Sequence, residues 1–89
     1  MTGGINHIRV EFIGVAKERF GTDIEHVQVR PGTTIGELLG EILGLDQESV
    51  NTEGFIILHN GHGIGPKEEV KVVLQPGDEI TILPMLGGG

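Results

Sequence analysis

Eighty-nine residues with no cysteine and a formal net charge of -7 describe one small acidic domain, able to bury a little over ~60% of its unfolded surface. The lack of cysteine excludes disulfides, thiolate metal sites, iron–sulfur clusters and a cysteine nucleophile. The acidic balance argues against nucleic acid, whose phosphates need a basic patch, and favours a basic protein partner.

Ile8, Val10 and Phe12 alternate with Arg9, Glu11 and Ile13, the period-two pattern of a strand with one apolar face. Gly14 ends or bends it. The charged stretch from Lys17 to Asp23, closed by turn formers, is expected to be a hairpin connection. A second alternation follows, Val27 and Val29 against His26, Gln28 and Arg30, and the two strands are expected to pair antiparallel. Pro31-Gly32 breaks the second strand. Thr34 precedes Glu37 by three residues, the spacing of a capping box, and a helix is expected to begin there. Its apolar stripe is Ile35, Leu38, Leu39 and Ile42, widened by Leu43, with Glu37 and Glu41 opposite. Gly36 and Gly40 weaken this helix by up to about 1 kcal/mol each relative to alanine, so it depends on packing its leucine face. Gly44 is its expected C-terminal cap.

After a polar loop over residues 46–54, Phe55-Ile56-Ile57-Leu58 reads as a strand buried in the sheet, too short for a helix. Asn60-Gly61 signals a turn. Val70 to Leu74 is expected to form a further short strand, and Gln75-Pro76-Gly77-Asp78 a tight turn of type II composition. The last strand, Glu79 to Pro84, points Ile80 and Ile82 inward and Thr81 outward. It leads through Met85-Leu86 into Gly87-Gly88-Gly89, where the sequence stops. A right-handed crossover through the helix lays the last strand parallel beside the first. The expectation is an α+β β-grasp (ubiquitin-like) fold, a mixed sheet of four to five strands with one main helix on one face. It occupies residues 1–84, with residues 85–89 as a flexible glycine tail.

That tail is the candidate functional element. Glycine lets a backbone approach another surface closely, and from Pro84 onward the tail could reach at most about 20 Å. Terminal glycines also occur as frayed ends, but here a buried strand runs into them without a linker. Other signals are weaker. His59 and His62 flank a turn, and an isolated pair lacks the three or four ligands of a zinc site, so no metal is expected. Gly61-x-Gly63-x-Gly65 is read as a plain glycine loop, because Pro66 and charged residues follow it instead of a helix N-terminus to receive an anion. No nucleophile, acid/base pair or metal constellation emerges, so no catalytic residue is expected. The apolar runs are too short to span a bilayer, and Met1-Thr2-Gly3-Gly4 lacks the charged and apolar regions of a leader. The expectation is a soluble, cytoplasmic protein that engages neither membrane nor nucleic acid.

Taken together, Arg30-Pro31-Gly32-Thr33-Thr34 leading into the leucine-bearing helix, Leu58-His59-Asn60-Gly61, Pro76-Gly77-Asp78-Glu79-Ile80, and Pro84 with Gly88-Gly89 resemble the MoaD/ThiS family of ubiquitin-like sulfur carriers. The likeness covers nearly the whole chain in order. Pro84-Met85-Leu86 and the extra Gly87 depart from the double proline and small residues that molybdopterin-type members carry there. The resemblance implies that an E1-like enzyme of the MoeB/ThiF type adenylates the Gly89 carboxylate with ATP, and that a sulfur donor converts it to a thiocarboxylate. The acceptor would be a molybdopterin synthase large subunit, favoured here, or a thiazole synthase. In the first case the chain would serve as the small subunit of that complex. Gly88 and Gly89 would thread the partner's active site, with Gly87 and Leu86 at its mouth, and the carrier would bind no cofactor of its own. The same terminus suits a ubiquitin-like modifier joined through Gly89 to lysines. A β-grasp interaction module with an incidental tail is a third reading.

Overall fold

The protein is described by a computed structural model over residues 4–44, 54–69 and 71–85. The first half comprises β1 (Asn6–Phe12), α1 (Val15–Phe20), β2 (Ile24–Val29) and α2 (Ile35–Glu37), which continues as a wider π-helical segment, Leu38–Ile42. The second half comprises β3 (Phe55–His59), β4 (His62–Gly63), α3 (Pro66–Glu69) and β5 (Glu79–Pro84). The five strands lie in the order β2-β1-β5-β3-β4. β1 pairs parallel with β5 in the register Val10↔Ile80 and Phe12↔Ile82. The other pairings are antiparallel. This is the ubiquitin-like β-grasp, a mixed sheet with its main helix on one face.

The period-two pattern decides the layering. Ile8, Val10, Phe12, Val27, Val29, Phe55, Ile57, Ile80 and Ile82 are all buried on the helix side of the sheet, where Ile35, Leu38 and Leu39 cover them. The capping box forms as its spacing requires. Glu37 N–H donates to Thr34 Oγ1 at 3.2 Å, and Thr34 N–H donates to Glu37 Oε1 at 3.0 Å. After one turn the ladder widens, and Leu43 N–H donates to the Leu38 carbonyl at 3.2 Å, an i→i+5 bond. Gly44, at φ 72, follows the last turn in the left-handed conformation of a C-terminal cap.

Two local expectations are corrected. The connection after β1 is not a bare hairpin loop, because α1 occupies it. Ala16 is fully buried and Phe20 packs with its ring centroid 4.9 Å from that of Phe12. These two residues, four apart, form an inward stripe that the exposed Lys17, Glu18 and Arg19 obscure in the sequence. The segment expected as a strand at residues 70–74 does not join the sheet, and Val70 lies outside the described residues. Val73 makes an isolated antiparallel bridge with Thr34. Beside it, Ile35 N–H donates to the Val72 carbonyl and Leu74 N–H to the Thr33 carbonyl, at 2.9 and 2.8 Å. The burial of Leu74 draws this segment onto the start of α2. The fifth strand is β4 instead. The polar loop of residues 46–54 lies, apart from Gly54, outside the described residues.

At the start of β5 a polar cluster fixes the strand. The Asp78 carboxylate, 8% exposed, accepts from His59 Nε2 at 2.8 Å, Gln75 N–H at 2.9 Å and Asn60 Nδ2 at 3.1 Å. Asn60, at φ 50, also accepts Glu79 N–H at 2.8 Å. Burial pushes the Asp78 carboxyl up, but the bonds from His59, Gln75 and Asn60, with the attraction of His59, outweigh it and leave a lowered pKa. A depressed carboxyl stabilises the fold above its ordinary value of about 3.9 and loses that contribution as pH falls through the folded value. Asp78→Ala leaves several donors without a partner. It is expected to cost about 1–3 kcal/mol, a melting temperature lower by roughly 5–20 °C at pH 7. Thermal melts at pH 7 and pH 3 should show the wild-type advantage shrinking at the acid end.

Candidate functional site

The tail expected to be the functional element, Leu86, Gly87, Gly88 and Gly89, lies outside the described residues. The structure shows the root from which they continue. β5 is an interior strand, paired on one side with β1 and on the other with β3. Arg9 N–H donates to the Asp78 carbonyl at 3.1 Å, and Ile13 N–H to the Ile82 carbonyl at 2.9 Å. On the other side Pro84 lies opposite Phe55, and Met85 N–H donates to the Gly54 carbonyl at 2.7 Å. Backbone pairing therefore holds the chain one residue beyond the strand.

Two features mark this last rung. Pro84 has a fixed φ and no N–H, which suits the last rung of a ladder. Its ring passes so close to Gly14 that a Cβ on that glycine would sit 3.3 Å from Pro84 Cγ and Cδ. Gly14 also holds φ +64, a conformation that side chains oppose.

The open face of the sheet, opposite α2, presents apolar side chains beside this root. Ile56 lies opposite Leu83, and Leu58 opposite Thr81. All four are half-buried. Ile13, 41% exposed, extends β1 alongside Leu83, and Met85 is 60% exposed. Val15, exposed as well, begins α1 next to Gly14. Apolar side chains left on a sheet face away from the core are candidates for a protein contact. Farther along the same face the charges are paired, with Arg9 Nη1 3.6 Å from Glu79 and 3.9 Å from Glu11. The signal for this patch is the continuous apolar run from Phe55 to Leu58. Successive strand residues point to opposite faces, so Ile56 and Leu58 have to lie away from the helix.

The remaining candidates resolve into local structure. His59 is bound to Asp78, and His62 stands across the β3–β4 pairing from it, exposed. Among the described residues no three His, Cys, Asp or Glu side chains converge to hold a metal ion. The glycine run is followed by a helical turn after all, since Pro66 opens α3. Gly65 N–H at its start donates to Glu68 Oε1 at 2.8 Å, so the turn is capped by its own carboxylate. No described helix is long and apolar enough to cross a membrane.

Comparison with known proteins agrees with this geometry. The model of the ThiS family matches residues 10–89. A Haloferax volcanii protein, HVO 2177, shares the fold at a TM-score of 0.76 and 18% identity, covering 100% of this chain and 92% of that one. SAMP1 of the same organism superposes at 0.71 with 18% identity, covering 94% and 100%. A Pyrococcus furiosus protein provisionally named molybdopterin converting factor, subunit 1, superposes at 0.72 with 19% identity, covering 91% and 99%. No curated protein matches the chain.

Proposed function

The chain belongs to the ThiS family, one of small carrier proteins rather than enzymes, and we propose that it is a sulfur carrier acting through the Gly89 carboxylate. One observation carries the reading: an interior strand, paired on both sides and held as far as Met85, ends beside a half-exposed apolar face, and the sequence runs on from it through Leu86 into three glycines. A rigid root lets one short tail enter a partner's site while the patch of Ile13, Ile56, Leu58 and Leu83 docks the body, which makes the reaction effectively unimolecular.

A carboxylate is a poor electrophile because its leaving group would be oxide. In an E1-like partner the Gly89 carboxylate attacks the α-phosphorus of ATP, giving an acyl-adenylate and releasing pyrophosphate. The terminal sulfur of a donor persulfide then attacks the acyl carbon and expels AMP, leaving an acyl disulfide. A thiol of the partner reduces that bond, forms a disulfide, and releases the thiocarboxylate. The carrier contributes positioning and holds no cofactor; ATP is consumed in the partner's site. Gly88 and Gly89 thread that site, with Gly87 and Leu86 at its mouth. Likeness to the Pyrococcus furiosus protein supports a molybdopterin-type acceptor, with this chain as the small subunit of a synthase-like complex.

A second reading, conjugation of Gly89 to lysines, is supported by likeness to SAMP1, named elsewhere as a small archaeal modifier protein. Both readings share the adenylate and diverge after it. ATP–pyrophosphate exchange with the cognate activating enzyme should therefore depend on this chain and stop when the Gly89 carboxylate is blocked as an amide. Exchange that is unchanged by that amide contradicts both readings. Tail-dependent, slower-migrating adducts in lysate, without any thiocarboxylate, decide for the modifier.

A further inference from the structure

β2 is an edge strand of the sheet, with β1 on one side only. Its register with β1 tells which backbone groups face outward. Phe12 N–H donates to the Asp23 carbonyl at 2.8 Å, and these residues stand in line with the pairs Val10↔Glu25, Ile8↔Val27 and Asn6↔Val29. Antiparallel ladders alternate bonded and non-bonded pairs. Glu25, Val27 and Val29 therefore bond to β1, while Ile24, His26 and Gln28 turn their amides and carbonyls away. The Ile24 carbonyl accepts from Thr22 Oγ1 at 3.1 Å. The backbone groups of His26 and Gln28 have no partner among the described residues. An edge of this kind is a template for another strand.

A groove runs beside that edge, lined by Gln28, Val29 and Arg30 of the β2 end and by Thr33, Glu37 and Glu41. Val29, 4% exposed, lies at its base, Arg30 places one positive charge at its strand end, and Glu37 and Glu41 make its helix side acidic. Glu37 is shared with Thr34 in the capping box. Glu41 is exposed and has no partner among the described residues. Glu25 lies on the same face of β2 as Val27 and Val29. A second copy is a poor occupant: two-fold pairing of β2 edges would bring Glu37 and Glu41 of both copies to one side, in chains of net charge -7 each. A basic segment meets complementary charge there.

We propose that the free edge of β2 and the adjoining groove of α2 bind an extended peptide segment of another protein. Its backbone pairs with His26 and Gln28, and its alternate lysine or arginine side chains face Glu37 and Glu41. This surface lies across β1 from the strand that carries the tail, so it is independent of what happens at Gly89. A carrier engaged by its tail would still have this edge available.

The test is an amide NMR titration of the whole chain with a capped hexapeptide of alternating lysine and valine, and with its glutamate–valine counterpart. The lysine peptide is expected to shift the His26 and Gln28 amides and slow their hydrogen exchange. Glu41→Lys should weaken that binding about fivefold, and N-methylation of alternate peptide amides should abolish it. Four results overturn the proposal: no response at millimolar peptide, equal binding of the glutamate peptide, shifts confined to the Ile13 and Leu58 face, or concentration-dependent shifts at His26 and Gln28 without peptide. The last would assign the edge to a second copy.

Discussion

Gly88→Val is expected to lower kcat/KM for adenylation by the cognate activating enzyme by about 100-fold or more, with no change in melting temperature. In the proposed reaction the penultimate residue passes where the activating enzyme encloses ATP and the acyl carbon, and a displacement of about 1 Å at a reacting centre can cost two orders of magnitude. Valine adds a branched side chain on the residue next to the carboxylate and restricts its backbone. The last described pairing is the Met85 to Gly54 bond, so the substitution falls three residues beyond the ladder. ATP–pyrophosphate exchange kinetics and a thermal melt on the same sample read the two effects separately.

Ile82→Ala should do the reverse. Ile82 is fully buried, in register with Phe12 on one side and Ile57 on the other. Truncating such a side chain costs about 2–5 kcal/mol, the transfer of the lost methylenes plus the cavity they leave. In a domain of this size that lowers the melting temperature by roughly 10–30 °C. Well below its melting temperature the variant should still be adenylated at close to the wild-type rate, because the tail and the open face are untouched. A variant that melts normally but fails in adenylation would mean that Ile82 acts in partner recognition.

The main layering was legible because periodicity reports burial directly. Ile8, Val10 and Phe12, like Ile80 and Ile82, alternate with polar residues, and a strand has no other way to hide one set. Thr34 and Glu37 marked the start of α2 because both side chains reach orphan amides at that spacing. What escaped was structure made by few residues. α1 rests on Ala16 and Phe20 alone, and its three charged residues read as a turn. Val73 looked like a strand residue and makes a single bridge, since Leu74 is drawn under the helix start rather than into the sheet. The Asp78 cluster joins residues nineteen apart in sequence, a closeness that follows only from the β3–β5 pairing. The glycine tail is read from the sequence alone and lies outside the described residues. The apolar face beside its root needed the register to show which side of β3 and β5 points away from α2.

The most direct measurement is the intact mass of the protein after incubation with ATP, a persulfide sulfur donor and the cognate activating enzyme. A carrier gains the mass difference between sulfur and oxygen, and the gain vanishes when the Gly89 carboxylate is blocked as an amide. An unchanged mass, under conditions in which the same enzyme loads an established carrier, would contradict the proposal.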